Sequence, residues 1–403
     1  MKVNPAQTLH DTNSPNKIKI YNYIKNFHCL ADKCSNTCCQ GWRIAVSDTM
    51  ANHYRKSHKE LFSILATDDG GYKIAGTEEG SCSMLKDGLC SLQIDYGEST
   101  LPDICGQYPR MYRSVNEHTI GSASMSCPEI ARLCLFEDNA FDCESTRLTI
   151  PPETTQTDLP ELGGDPLALT RPFVDAALAP DTPAEEAMLK IIAVSEALES
   201  MPCHTWLQRL EILFDKPGLG EKAERQAQAQ EEAACHDIAL ILWDMLATHH
   251  IPDAVREQVA SAFSMPNSVG DEEPKLVLLP LYRQAYEGRA FDKINAVLKR
   301  YIAGEMTRIG FPVISQTAFG RDYGTSLSAW AQTLCVRFLA LRLLLITHIQ
   351  NDGAPPEDTT IVELVHRLSR QINHELSGSV EKNFTERTRD NFMQTAQTLM
   401  GLN

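Results

Sequence analysis

From about residue 184 to the end of the chain, apolar residues return at every third or fourth position, the spacing that lays one hydrophobic stripe along an α-helix. The segments "AEEAMLKIIAVSEALES", "HTWLQRLEILFD", "EKAERQAQAQEEAACHDIALILWDMLATHH", "DAVREQVASAFSM", "FDKINAVLKRYIAGEMTRI", "SLSAWAQTLCVRFLALRLLLITHIQ", "TTIVELVHRLSRQINHE" and "TERTRDNFMQTAQTLM" all follow it. Breaks fall at Pro, Gly and Asn/Asp clusters, and no fixed repeat length links the segments. The pattern predicts an irregular α-helical bundle over 186–403 rather than a solenoid.

The first 146 residues lack that periodicity. Two stretches read as helix, "DTMANHYRKSHKELFSIL" behind an N-cap at Ser47 or Asp48, and "CPEIARLCLFE", where Pro128 suits a first helical turn. "GGYKIAGTEEG" reads as a short hairpin or a loop. Between the halves, residues 147–185 carry seven prolines, which predicts a connecting linker without regular structure. The expected architecture is therefore mainly α: an irregular cysteine-rich, metal- or cluster-binding N-terminal domain over 1–146, a linker over 147–185, and the helical domain over 186–403.

The most apolar run, Leu334–Ile349, is interrupted by Arg337 and Arg342. Spanning a bilayer takes about 20 continuous apolar residues, so this predicts a buried helix and no membrane partner. The N-terminus has no apolar core or small-residue cleavage site of a signal peptide, so the expected address is cytoplasmic, where thiols stay reduced. A formal net charge of −16 disfavours a nucleic-acid partner, which would need a basic face. Hydrophobic content of 43% is enough for a substantial core.

Cysteine usage changes this picture most. Ten of the 13 cysteines lie between residues 29 and 143. The order is Cys29-x4-Cys34-x3-Cys38-Cys39-x-Gly41-Trp42, then Cys82-x7-Cys90-x14-Cys105-x2-Tyr108-Pro109-Arg110, then Cys127-Pro128. In a reducing compartment such an array predicts metal binding before disulfides. Soft sulfur donors select zinc, copper(I) or an iron–sulfur cluster, and four thiolates satisfy a tetrahedral zinc or a cubane. Eight thiols exceed one site, so some are supporting groups or ligands of a second centre. Cys134 and Cys143 read as plain buried cysteines, as do Cys203, Cys235 and Cys335. The Cys-x3-Cys-x2-Cys signature of radical enzymes that use S-adenosylmethionine is absent, because its third position is Gly41. The adjacent His249 and His250 diverge by about 100° on a helix and share no face. Trp42 reads as a lid over the sulfur site, and Trp206, Trp243 and Trp330 as core anchors.

The blocks "FHCLADKCSNTCCQGWRI", "CSMLKDGLC" and "LPDICGQYPRMY" resemble the cysteine-rich domain described as zinc- or iron-chelating, and the whole layout resembles the flagellin lysine-N-methylases of enteric bacteria. That resemblance implies transfer of methyl groups from S-adenosylmethionine (SAM) to lysines of flagellin, the protein partner. It also implies a cysteine-ligated 4Fe–4S cluster or zinc, held among Cys29, Cys34, Cys38, Cys39, Cys82, Cys90, Cys105 and Cys127. A lysine ammonium, with a pKa of about 10.4, must lose its proton before attacking a methyl group. Tyr108 and Asp103 are the first candidates to receive it, with Asp95 and Tyr112 nearby, and Arg110 is a candidate for the SAM carboxylate. The glycine clusters "ELGGDP" and "PGLGEK" follow no convincing strand, which argues against a Rossmann-type SAM site. The rival reading is a metal-handling or redox-sensing protein whose helical body docks partners.

Overall fold

The computed structural model of the chain describes residues 16–40, 43–78, 80–148, 154–157, 161–162, 164–216, 289–313, 326–370 and 392–400. The predicted segments at 221–250 and 253–265, the glycine cluster at 217–222, Gly41, Trp42, Trp243, His249 and His250 lie outside them.

The strands are β1 (Asn16–Tyr21), β2 (Leu65–Asp68), β3 (Gly71–Ile74), β4 (Leu85–Lys86), β5 (Leu89–Cys90), β6 (Arg110–Val115), β7 (His118–Ala123), β8 (Cys143–Leu148) and β9 (Thr155–Thr157). The described helices are α1 (Asn22–Lys25), α2 (Asp48–Ser57), α3 (Lys59–Ser63), α4 (Ser91–Tyr96), α5 (Asp103–Gln107), α6 (Pro128–Phe136), α7 (Pro166–Leu178), α8 (Ala184–Glu199), α9 (Trp206–Asp215), α10 (Arg289–Ile309), α11 (Leu327–Asp352), α12 (Asp358–Arg370) and α13 (Phe392–Leu399). The fold is mainly helical, as the pattern predicts, but it is built on a mixed sheet that the pattern does not predict.

That sheet has the order β8–β1–β7–β6–β9. β1 runs parallel to β7, with Ile18 opposite Thr119, and antiparallel to β8, while β6 and β7 form a hairpin and β9 joins β6 in parallel. The alternation in "KIKIY" explains the first strand, because Ile18 and Ile20 turn into the core. Asn116 makes the hairpin corner with φ 51, a left-handed conformation that asparagine tolerates. Gly121 sits where β1, β6 and β7 crowd together: a Cβ there would come to 3.0 Å from both Ile20 and Tyr112.

The expected linker over 147–185 is corrected by the structure. β8 runs to Leu148, β9 pairs with β6, and α7 is a helix of 13 residues containing Pro172. Pro166 stands in the first turn, where no backbone N–H is needed, and Asp165 caps that end by accepting from Leu167 N at 3.1 Å. Pro172 removes one internal hydrogen bond, but the helix is pinned by Leu169, Phe173, Val174 and Ala177, all buried against α10, α8 and α9. The predicted division at residue 146 also falls inside one core. Ile18 to Phe141 of the sheet region and Leu162 to Met400 of the bundle share it, and the self-contained part is a smaller core within residues 44–105.

The buried-helix expectation for Leu334–Ile349 holds. Among the described residues Leu327–Ile349 is the one helix long and apolar enough to cross a membrane by length and composition, and it is mostly buried inside the fold. Its two arginines are each paired: Arg342 Nε lies 2.7 Å from Glu185 Oε1, and Arg337 Nη1 lies 3.3 Å from Glu305 Oε2. Arg308 completes the second group at 2.8 Å from the same Glu305 oxygen. All five side chains are almost fully buried.

Candidate functional site

Residues 28–109 wrap a small core of Ile44, Val46, Ala51, Tyr54, Leu61, Ile74, Cys82 and Leu92, with Cys39, Cys90 and Cys105 packed against it. Short-range geometry explains how such distant cysteines meet. Cys82 N donates to Cys39 O at 2.7 Å, beside a bridge between Gln40 and Ser81, and this ties the first cysteine block to the second. Leu85 pairs with Cys90 across the β4–β5 hairpin, whose corner residues Asp87 and Gly88 both have positive φ (50 and 78), the two-residue turn that an Asp-Gly pair favours. α5 then carries Cys105 back to the same core, and Ser47 caps α2 as expected, accepting from Met50 N at 3.3 Å. The single helix expected at "DTMANHYRKSHKELFSIL" breaks into α2 and α3 at His58, whose φ of −144 leaves the helical region.

Cys39, Cys82, Cys90 and Cys105 therefore form one group: Cys105 feels the charge of the other three, Cys82 that of Cys39 and Cys90, and Cys90 that of Cys39. Burial pushes the Cys82 thiol up to about 11 and those of Cys90 and Cys105 upward as well. Opposing this, the backbone amides two and three residues ahead, Met84 and Leu85 for Cys82 and Leu92 and Gln93 for Cys90, act to lower both thiols. Paired amides of this kind stabilise an anionic sulfur rather than a neutral thiol. Cys38 donates to Cys39 and, with Thr37 and the nearby Arg370 guanidinium, lowers the Cys39 thiol despite its burial.

The other cysteines are placed differently. Cys29 and Cys38 are exposed, Cys34 is half-buried and donates to Asn36 O at 3.3 Å, and Cys127 stands at the start of α6, packed on the large core. Pro128 occupies the first turn of α6, as its sequence predicts. Cys134 and Cys335 are buried in helices as plain hydrophobes, whereas Cys143 lies exposed on β8, contrary to expectation, because its strand is the edge of the sheet. No disulfide joins the described cysteines. Among the described residues no three His, Cys, Asp or Glu side chains already stand at metal-ligating positions. Protonated thiols have no reason to converge, since ligation follows loss of their protons to a cation. The donor set nevertheless fits a soft metal: four thiols gathered on one small core.

The candidate acid–base groups separate. Tyr108 hydrogen-bonds Ser126 Oγ at 3.0 Å, and burial holds its hydroxyl well above the usual tyrosine range, so it stays a donor at neutral pH. Asp103 begins α5 and accepts from Ser47 Oγ at 3.2 Å. Asp95 is exposed and Tyr112 is buried in β6 against Gly121. The Arg110 guanidinium rests 4.9 Å above the Phe27 ring and has no carboxylate partner among the described residues. Trp206 is half-buried and donates to Leu198 O at 3.1 Å, and Trp330 is a core anchor as expected.

Helix α12 supplies functional residues that the motifs did not single out. Arg370 Nη1 donates to Asn36 Oδ1 at 2.7 Å and Thr37 O at 3.1 Å, and its Nη2 donates to Gln40 O. Glu363 accepts from Ser35 Oγ at 3.3 Å, from His366 Nε2 at 2.8 Å and from Arg367 Nε at 2.7 Å. Although burial favours the neutral acid, His366 and Arg367 outweigh it and hold the Glu363 carboxyl down at about 2. Their spacing, 363, 366, 367 and 370, sets them along one stripe of an amphipathic helix. Read from sequence it is a solvated face; in the fold it clamps the first cysteine block. Arg370→Ala is expected to lower stability by ~1.5–3 kcal/mol, the range for charged hydrogen bonds, and to speed alkylation of Cys38 and Cys39. An unchanged alkylation rate would show that the clamp does not order the block.

No protein-family model matches the chain, and no solved structure matches it. Three curated proteins show distant similarity. The chain is 27% identical over 131 residues to "Flagellar biosynthetic protein FliU" of Salmonella muenchen, covering 30% of this chain and 77% of that protein. It is 26% identical over 131 residues to the "Lysine-N-methylase" of Salmonella choleraesuis strain SC-B67, and equally to that of Salmonella typhimurium, covering 30% of this chain but only 32% of each methylase. The similarity thus spans about a third of the methylases' length. These matches support a distant relation to proteins named lysine-N-methylase and flagellar biosynthetic protein.

Proposed function

We propose that the protein transfers methyl groups from SAM to lysine side chains of flagellin, in the cytoplasm, and that a metal held by Cys39, Cys82, Cys90 and Cys105 supports the site. The observation that carries the activity is the likeness to proteins named lysine-N-methylase. The metal rests on a separate one, the four-thiol group on the small core. A soft donor set of this kind suits an iron–sulfur cluster or zinc. When bound, that group supplies a fixed positive centre that holds the small core closed.

The reaction itself forms a bond from the lysine nitrogen to the methyl carbon as the bond from that carbon to the sulfonium sulfur breaks, releasing S-adenosylhomocysteine. Before that step the ammonium must give up a proton. Tyr108 keeps its own proton and serves as a hydrogen-bond donor, so Asp103, already a carboxylate acceptor for Ser47, is the better acceptor of the two. Arg110, seated on Phe27 with no carboxylate partner among the described residues, is the candidate to receive the carboxylate of SAM. The rival reading, a metal-storing or redox protein, draws on the same thiols but expects no methyl transfer. Purified flagellin incubated with the protein and SAM should gain mass in steps of one methyl on lysines; no gain, with and without oxygen, would favour the rival. Arg110→Ala should raise the KM for SAM and leave that for flagellin unchanged.

A further inference from the structure

The small core carries a row of aromatic rings on its surface, apart from the thiols. We propose that His53, His58, Tyr96 and Glu60 form a docking site for a methylated lysine side chain of a protein partner. The choice of lysine rests on the reading that the protein methylates lysines, whereas the rings and the carboxylate argue for an alkylammonium on their own.

The row is built by the break between α2 and α3. His58 ends α2 with φ −144 and ψ 72, outside the helical region, while its N–H still donates to Tyr54 O at 2.8 Å. Its ring lies against that of His53, with centroids 5.5 Å apart and planes at 62°. Tyr96, the last residue of α4, comes from a different segment and stands 5.5 Å from His58 at 82°. Gly97 stops α4 with φ 89, and the buried Tyr54 hydroxyl donates to Thr100 O in the turn that follows. That bond pins the end of α4 to α2 and so fixes the third ring beside the other two.

Rings that meet edge to face cover one ring face per contact, where a stacked pair covers two, so this row keeps face area toward water. His53 is exposed, and His58 and Tyr96 are half-buried. Among the described residues the arginines that rest over rings sit at Phe62, Phe27 and Phe141, and no cation of this chain lies over His53, His58 or Tyr96. The exposed Glu60 places Oε1 3.9 Å from His58 Nδ1, and burial, Glu60 and Asp95 together raise the Tyr96 hydroxyl. Aromatic faces beside a carboxylate suit an alkylammonium: the methyl groups lie on the rings, and a dimethylated nitrogen keeps one N–H for Glu60. A bare ammonium is compact and strongly hydrated, so it gains less from the rings. Exposed Lys56 and Lys59 flank His58 in sequence, so recognition rests on the side chain seated at the rings and not on a broad acidic field.

The test is fluorescence anisotropy of a labelled Gly-Ser peptide carrying one dimethyl-lysine, titrated with the full chain purified without oxygen and without SAM. The same peptide with trimethyl-lysine, plain lysine or acetyl-lysine serves for comparison. Saturable binding of the dimethyl-lysine peptide is expected, weaker binding of plain lysine, and the weakest of acetyl-lysine, which has lost its charge. Tyr96→Ala should weaken binding ~3–10-fold, the scale of a cation–π contact, while Tyr96→Phe, which keeps the ring, should retain most of it. Glu60→Gln should weaken the dimethyl-lysine peptide more than the trimethyl-lysine one, which has no N–H to donate. Equal binding of dimethyl- and acetyl-lysine peptides, no binding by the wild type, or wild-type affinity in Tyr96→Ala would overturn the site. With SAM absent, the reading beneath fails separately: peptide binding by a chain that leaves flagellin unmethylated supports the site and removes the methylase, and methyl transfer without peptide binding does the reverse.

Discussion

Cys82→Ser is expected to strip the small core of the proposed metal and abolish the proposed methyl transfer, the largest effect anticipated for any single substitution in this chain. Cys82 is the most deeply buried of the four thiols, 8% exposed, and it sits at the hinge of the group. Its own N–H ties to Cys39 O, and its carbonyl accepts from Leu85 N at 3.0 Å. A serine hydroxyl is harder, shorter and does not ionise near neutral pH, so the metal would lose a ligand. The small core has few apolar residues of its own, and a structural metal can supply ~10–16 kcal/mol of apparent folding free energy to so small a unit. Loss of metal should therefore bring local unfolding of residues 28–109, seen as rapid hydrogen exchange there while the bundle stays protected. Cys134→Ala and Cys335→Ala, at buried cysteines outside the group, should retain full metal content. Equal metal in Cys82→Ser and wild type would contradict the assignment.

Glu305→Ala should destabilise the bundle by ~3–5 kcal/mol, the cost of stranding a buried charge. Glu305 neutralises both Arg308 and Arg337, and the three side chains are at most 5% exposed. Removing the carboxylate takes the shared counter-charge from two guanidinium groups in a low-dielectric interior, which costs more than losing the pair outright. Glu185→Ala, beside Arg342, should behave similarly because both partners are fully buried. Denaturant unfolding reads the effect as a lower midpoint with the slope retained. An unchanged midpoint would mean that Arg308 and Arg337 find other acceptors.

Much of the bundle was legible because its helices announce themselves locally. The three- and four-residue spacing marks α8, α11 and α12, and two arginines inside Leu334–Ile349 mark a helix buried against acids rather than lipid. The sheet was not legible, because its pairings are distant. β1 finds β7 about a hundred residues later, and β8 pairs on its other side. Short strands such as Ile18–Ile20 offer too few alternations to outweigh the helical signal elsewhere. α7 was hidden by its prolines, whose cost is offset by tertiary burial that composition does not display.

The site divides the same way. Cysteine identity and the Asp87–Gly88 turn were readable, and the fold brings Cys39, Cys82, Cys90 and Cys105 together. That Cys127 packs on the large core while Cys39, Cys82, Cys90 and Cys105 pack on the small one was not readable, since both packings are long-range. Arg370 lies 330 residues from Gln40, and no local motif reports that contact. Conversely, the sequence makes Tyr108 a plausible base, and only its burial against Ser126 shows that it keeps its proton.

The most direct test of the proposed function is transfer of an isotope-labelled methyl group from SAM to purified flagellin by the metal-loaded chain, read by peptide mass spectrometry. Labelled methyl groups on flagellin lysines, present with wild type and absent with Cys82→Ser, are the predicted result. Flagellin that stays unlabelled with metal-loaded wild type, or that is labelled equally by Cys82→Ser, would contradict it.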